Sequence, residues 1–179
     1  MRIISGQHKG RRITAPKKLP VRPTTDMAKE GLFNILNNSF HFNKLNVLEL
    51  FSGSGNVSYE FASRGAVSVT SVDENMDCIK FIKKTSLELD MNITPIKSDV
   101  FKYLERAPIK ADIIFADPPY DFDDEHFKKI VDLVFEKQLL NENGVLIIEH
   151  SKHTKMDKVE HFEVGRRYGN SVFSFFNLT

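Results

Sequence analysis

Cysteine occurs once, at Cys78, and tryptophan not at all. A lone thiol forms no internal disulfide, and no His/Cys group has zinc-ligand spacing, so neither a covalent nor a metal staple is expected to hold this fold. His150 and His153 lack a third partner, and Cys78 reads as a small core residue of a helix. No metal site is expected. No apolar run approaches the roughly 18 residues needed to span a bilayer, and Met1 to Ser5 are not followed by a signal-peptide core, so no membrane partner is expected and a cytoplasmic protein is the expectation. Repeats and low-complexity segments are missing too. What remains is 179 residues, 41% hydrophobic and 27% charged, the composition of a soluble globular chain that must rely on packing.

Charge of one sign is scarce overall, since Lys+Arg number 25 against 24 Asp+Glu. The balance hides an asymmetry. Arg2, Lys9, Arg11, Arg12, Lys17, Lys18, Arg22 and Lys29 face only Asp26 and Glu30 within the first 30 residues, a net +6 that leaves −5 for the rest. A basic arm on an acidic body suits a polyanion partner, because each neutralised phosphate releases counterions. A merely solvated terminal segment would carry the same charges.

From residue 45 onward, short β-branched runs alternate with helical periods. Asn46 to Leu50, Val67 to Val72, Ile93 to Lys97, Asp112 to Ala116 and Gly144 to Ile148 read as buried strands. Helical stripes occupy Asn75 to Asp90 and Asp124 to Lys137, and Thr25 or Asp26 caps a helix whose Ala28, Leu32, Ile35 and Leu36 face inward. The expected fold is α/β, a doubly wound and mostly parallel sheet covered on both sides. Gly6, Gly10, Pro16, Pro20 and Pro23 punctuate the first 23 residues, which read as a small hairpin and a loop. Two units are expected: a basic extension over 1–25 and a main domain over 26–179. Ser171 to Leu178 alternates as an edge or hairpin strand.

In open α/β sheets, ligands bind beyond the carboxyl ends of the strands, near the point where strand order reverses. The first strand ends in Glu49-Leu50-Phe51-Ser52-Gly53-Ser54-Gly55, and a helix follows. Glycine lets the backbone approach a ligand, and the helix start offers free N–H groups. Asp73 ends the second strand 20 residues after Gly53, where a carboxylate can accept from both hydroxyls of a ribose. An adenosine-containing ligand is therefore expected. A dinucleotide fits poorly, because Ser58 stands where that fingerprint needs Gly or Ala and Glu49 would repel a pyrophosphate. S-adenosylmethionine (SAM), with an ammonium, a sulfonium and no phosphate, fits better. A plain strand-to-helix turn would show the same two glycines.

The fourth strand ends in Asp117-Pro118-Pro119-Tyr120. Two prolines fix φ and donate no hydrogen bond, so a stiff corner sets a carbonyl beside a carboxylate. Such a pair of acceptors can hold both hydrogens of an exocyclic amine while the tyrosine ring stacks on the base. Held that way, the nitrogen lone pair is freed from the ring and can be aimed at a methyl carbon. Asp99, after the third strand, can accept from an adenine amine or simply cap a helix.

Glu49-x-Phe51-x-Gly53-Ser54-Gly55, Asp73 and Asp117-Pro118-Pro119-Tyr120 together resemble the class I SAM-dependent methyltransferases that act on amines. Arg2-Ile3-Ile4-Ser5-Gly6, Gly10-Arg11-Arg12, Arg22-Pro23-Thr24-Thr25-Asp26, Glu30-x-Leu32-Phe33-Asn34 and Ser63-Arg64-Gly65-Ala66 resemble more narrowly the RsmD family, which methylates a guanine N2 amine in 16S ribosomal RNA. The resemblance implies a seven-stranded Rossmann-like sheet with its last strand inserted antiparallel, and a short N-terminal β-hairpin extension for RNA. By it, Glu49, Phe51, Gly53, Ser54, Gly55, Asp73, Asp99 and Val100 bind SAM, and Asp117, Pro118 and Tyr120 hold the guanine. Arg2, Lys9, Arg11, Arg12, Arg22 and Lys29 would grip phosphates of 16S ribosomal RNA or an assembling small subunit, and a monomer is expected. Met27 and Lys29 stand where the family carries arginines. Two other readings remain open: adenine-N6 methylation in DNA, and a non-catalytic nucleic-acid-binding protein on the same scaffold.

Overall fold

The computed structural model describes residues 1–178. Its elements run α1 (Asp26–Ser39), a 3-10 turn at Phe42–Lys44, β1 (Asn46–Leu50), α2 (Asn56–Ser63), β2 (Ser68–Asp73), α3 (Met76–Glu88), β3 (Ile93–Lys97) and α4 (Val100–Arg106). They continue through β4 (Ala111–Ala116), α5 (Asp124–Glu136), β5 (Leu140–Ser151), β6 (Phe162–Tyr168) and β7 (Ser171–Phe176). The helices start where the sequence places a short acceptor side chain: Thr25 takes the amide of Ala28, Asn75 those of Asp77 and Cys78, Asp99 that of Lys102 and Asp123 that of His126. Helix α2 differs. Its cap is Gly55 at φ 84°, with no side chain to close the first turn.

Seven strands form one sheet in the order β3-β2-β1-β4-β5-β7-β6. β1 pairs in parallel with both β2 and β4, so strand order reverses there, and β7 enters antiparallel between β5 and β6. The carboxyl-terminal strand is thus interior, and the edge on that side of the sheet belongs to β6, whose Glu163, Gly165, Arg166 and Arg167 gave no apolar signal in the sequence. β5 also runs longer than the apolar core of Gly144 to Ile148.

Strand parity divides the core in two. Val47, Ile113, Phe115, Val145, Ile147, Phe173 and Phe175 pack with α1, α2 and α3 on one face, while Leu48, Leu50, Ile114, Ala116, Leu146 and Ile148 pack with α4 and α5 on the other. The same alternation, continued one step past Val47, Phe115 and Ile147, assigns Glu49, Asp117 and Glu149 to the α1/α2/α3 face.

The N-terminal hairpin is minimal: one antiparallel bridge joins Arg2 to Arg12, and Ile3 and Ile13 are buried in the first core cluster beside Phe33 and Phe61. Backbone amides of Ile4 and Ser5 donate to the two carboxylate oxygens of Glu60, at 2.8 and 3.0 Å, and that of His8 to the hydroxyl of Ser63 at 3.0 Å. The segment is therefore fastened to α2 through polar groups its own residues do not supply. Gly6 makes that approach possible: its φ is +86°, and a Cβ there would lie 1.9 Å from the Ser63 carbonyl oxygen.

Candidate active site

A cleft of about 1800 Å³ opens at the carboxyl ends of β1, β2, β4 and β5, over the β1/β4 reversal point. Glu49, Phe51, Gly53, Ser54, Asp73, Asp99, Val100, Asp117, Pro118 and Tyr120 all line it. Residues far apart in the chain are thus brought together. Gly55 sits just behind the loop, where a Cβ would fall 2.9 Å from both Ile82 and Tyr59, so glycine is required by packing as well as by its φ.

The loop after β1 is held by the strand beside it. Phe51 takes φ 56°, a left-handed conformation uncommon for an aromatic residue, and the Ser52 amide donates to the Val72 carbonyl at 3.0 Å. Asp73 accepts from the Gly53 amide through Oδ2 and from the Asn75 amide through Oδ1, each at 2.8 Å. These bonds fix the carboxylate's orientation, and a carboxylate has roughly four acceptor positions, so lone pairs remain for a ribose. Asp99 accepts from Lys102 through Oδ1, as a cap, while lining the same cleft.

Glu49 explains why Ser58 replaces glycine. Its Oε2 accepts from the Ser58 amide at 3.0 Å and from the Ser58 hydroxyl, which also lies 2.5 Å from the hydroxyl of Ser71. Burial pushes the Glu49 carboxyl up to about 8, against the opposing pull of those bonds and with further push from Asp73. Asp117 is also raised well above the carboxylate range, first by burial and then by the nearby charges of Glu149 and Glu49. Glu149, raised by burial, accepts from the Thr24 hydroxyl through Oε2 at 2.6 Å. Among the described residues, no lysine or arginine pairs with any of these three carboxylates.

In the folded chain alone, with no cationic ligand beside them, such groups favour their protonated forms. The folded state then binds more protons than the unfolded one, so the contribution of Glu49 to stability is present at low pH and is lost as pH rises from 4.5 toward about 8. Denaturant midpoints across that range are expected to fall for the wild type and to fall less for Glu49→Gln. Equal slopes for the two proteins would contradict this.

The opposite wall comes from the N-terminal segment, Leu19 to Thr25, and from the β6–β7 turn, Tyr168 to Ser171. On the Asp99 side, Phe51 and Phe122 meet edge-on at 5.4 Å, Phe101 stacks on Phe122 at 6.0 Å, and His126 lies 4.8 Å from Phe122. Of this aromatic pocket, Phe51 alone is among the residues the resemblance assigns to SAM; Phe101 and Phe122, 50 and 71 positions farther on, carry no signal of their own in the sequence. Pro118 is buried, while Tyr120 is 77% exposed at the cleft mouth.

Of the basic residues, Arg22 lines the cleft, whereas Arg11 and Arg12 line a separate small groove with Phe81, Lys84 and Glu88. Arg2 is half-exposed and pairs with Asp26 at 3.4 Å, and Lys9 is exposed. Lys29 requires a correction: it is fully buried and cannot reach a phosphate. Its ammonium donates to the Arg2 carbonyl at 2.6 Å and to Asn56 Oδ1 at 2.8 Å, and pairs with Glu60 at 3.4 Å. Burial lowers its pKa, and Glu60 opposes that shift. An inward position on α1 turned a charge that reads as an RNA contact into a structural one.

A seven-stranded sheet with β7 inserted antiparallel and a cleft over its reversal point is the class I methyltransferase fold. A Thermus thermophilus 16S rRNA N2 methyltransferase, solved with AdoMet and guanosine, has this fold at a TM-score of 0.70 and 18% identity, over 88% of the present chain and 44% of that one. A hypothetical protein of the same organism matches at a TM-score of 0.85 and 21% identity over 99% of both chains. Residues 1–177 match the family described as Conserved hypothetical protein 95, and the chain belongs to it; this is the RsmD family. The ribosomal RNA small subunit methyltransferase D of Buchnera aphidicola (subspecies Baizongia pistaciae) is 34% identical over 150 residues, 83% of this chain and 75% of that relative.

Proposed function

We propose that this protein moves a methyl group from SAM to the exocyclic N2 amine of a guanine in 16S ribosomal RNA. The observation that carries the reading is that Asp117, without a basic partner, shares one cleft with the Gly53–Gly55 loop and Asp73. Buried carboxylates without a counter-ion are costly, and a ligand end that carries an ammonium and a sulfonium offsets that cost where a pyrophosphate would add to it. The residues present therefore fit SAM. When bound, SAM supplies an electrophilic methyl carbon on a sulfonium.

The chain's own groups do the rest. Gly53 to Gly55 and Glu49 hold the methionine end, Asp73 the ribose, and Asp99 with the Phe101/Phe122 pocket the adenine. Asp117 and the carbonyl of Pro118 accept the two hydrogens of the guanine amine, and Tyr120 stacks on the base. As the N–C bond forms and the C–S bond breaks, the amine becomes cationic and loses one proton, which Asp117 is placed to take. Orientation of the two reactants in one cleft contributes about 7–11 kcal/mol. The base must be unpaired or extruded, because stacking keeps N2 out of reach. Arg22 at the cleft mouth, with Arg2, Lys9, Arg11 and Arg12 farther out, binds phosphates.

Protein given labelled SAM and either small ribosomal subunits or duplex DNA tests the reading. N2-methylguanosine in the RNA digest is expected. N6-methyladenine from the DNA, or no transfer to either substrate, would overturn it. Affinity for the RNA is expected to fall with salt, and Arg22→Ala to reduce the log–log slope by roughly 1 without changing the modified base.

A further inference from the structure

Glu149 has no part in the chemistry above, yet it is nine-tenths buried, lines the same cleft and is held in one orientation. Register puts it beside Asp117: β4 and β5 pair in parallel through Ala116 and Ile148, so the next residue of each strand falls on the same side of the sheet. Thr24, 125 positions away in sequence, donates its hydroxyl to Oε2, and the Thr24 carbonyl is itself held by the Asn56 amide at 2.9 Å. The brace runs on through Asn56 to the Lys29 ammonium. A side chain needed only to fill space would not require such a chain of buried polar groups.

The base edges supply the chemistry. Guanine presents two adjacent donors, N2–H and N1–H, whereas adenine presents its amine beside an N1 lone pair. Two acceptors side by side complement guanine and oppose adenine, since a lone pair facing a carboxylate is repelled and leaves that carboxylate unpaired. Building on the guanine reading above, we infer that Glu149 accepts the N1–H of the target guanine and so selects this base over purines whose N1 carries no hydrogen. Asp117 positions the amine; Glu149 reads its neighbour. Burial raises the Glu149 carboxyl and the hydroxyls of Thr24 and Ser171 oppose that rise without cancelling it, while a carboxyl keeps acceptor lone pairs in either protonation state.

Binding of nucleosides to protein saturated with S-adenosylhomocysteine tests this without turnover. The fluorescent probe is 2-aminopurine riboside, which keeps the N2 amine but has a bare N1; guanosine and 1-methylguanosine compete against it. For the wild type, guanosine is expected to bind roughly tenfold or more tightly than either analogue. In Glu149→Gln the Thr24 hydroxyl holds the amide oxygen, so the amide NH2 faces the cleft. The ratio of guanosine to 2-aminopurine affinity is then expected to drop by roughly tenfold or more. Any effect of the missing O6 is common to both proteins and cancels from that change. Thr24→Val combined with Glu149→Gln frees the amide to turn, and part of the guanosine preference should return. An unchanged ratio in Glu149→Gln overturns the proposal and leaves Glu149 a brace for Thr24. Equal wild-type affinity for guanosine and 1-methylguanosine overturns it even if the variants do not fold. Failure of the wild type to bind any of the three nucleosides would defeat the guanine reading itself, and this inference with it.

Discussion

Asp117→Ala is expected to slow methyl transfer by about 10²–10⁴-fold while SAM still binds. On the proposed reading the side chain stands at the amine end of the cleft, whereas the glycine loop and Asp73, joined by their own hydrogen bond, remain intact. Asp117→Asn keeps an acceptor oxygen but cannot take the proton, so its rate should fall between alanine and wild type. Calorimetric titration with SAM alongside single-turnover transfer to small subunits separates the two effects. Retained turnover would remove Asp117 from the chemistry. A matching loss of SAM affinity would reassign it to the donor pocket.

The second large effect is on stability. Glu60 is fully buried and answers four donors: the amides of Ile4 and Ser5, Arg64 Nε at 2.8 Å and the Lys29 ammonium at 3.4 Å. Arg64 in turn lies over the Phe33 ring, 4.6 Å from its centroid. Glu60→Ala leaves the buried Lys29 charge without its partner and strands two amides, a loss of about 3–5 kcal/mol. Thermal unfolding should shift down by roughly 10 °C. The cause is tested by a cycle: Glu60→Gln should cost less in a Lys29→Met background than in the wild type, because the stranded ammonium is gone. Strict additivity would show that the ion pair is not the source.

The strands most readily read were those whose β-branched runs lie between two helix layers, buried on both faces; β1, β2 and β4 are of this kind, whereas β3, an edge strand only partly buried, was marked by Ile93, Thr94 and Ile96. β6 escaped because an edge strand covered on one side carries charges, among them Arg166 and Arg167. The cleft residues at strand ends were legible for a related reason. Glu49, Asp73 and Asp117 are carboxylates that end apolar runs, and nothing but a site or a cap explains them there. Glu149 obeys the same rule at the end of Ile147 and Ile148, and its strand parity with Asp117 was present in the sequence once the pairing was known.

Lys29 went otherwise. Charge is visible in a sequence, but its destination is not: the inward face of α1 captured Lys29, and the path of the hairpin took Arg11 and Arg12 to a groove beside α3. The amino-acid order alone determined the alternation of strands and helices, the glycine turn and the proline-stiffened corner, because each follows from local sterics and the period of the apolar residues. Tertiary structure decided which carboxylates share a cleft, which lysine is buried, and that Thr24 holds Glu149, because those contacts join residues up to 125 positions apart, beyond the reach of any local rule.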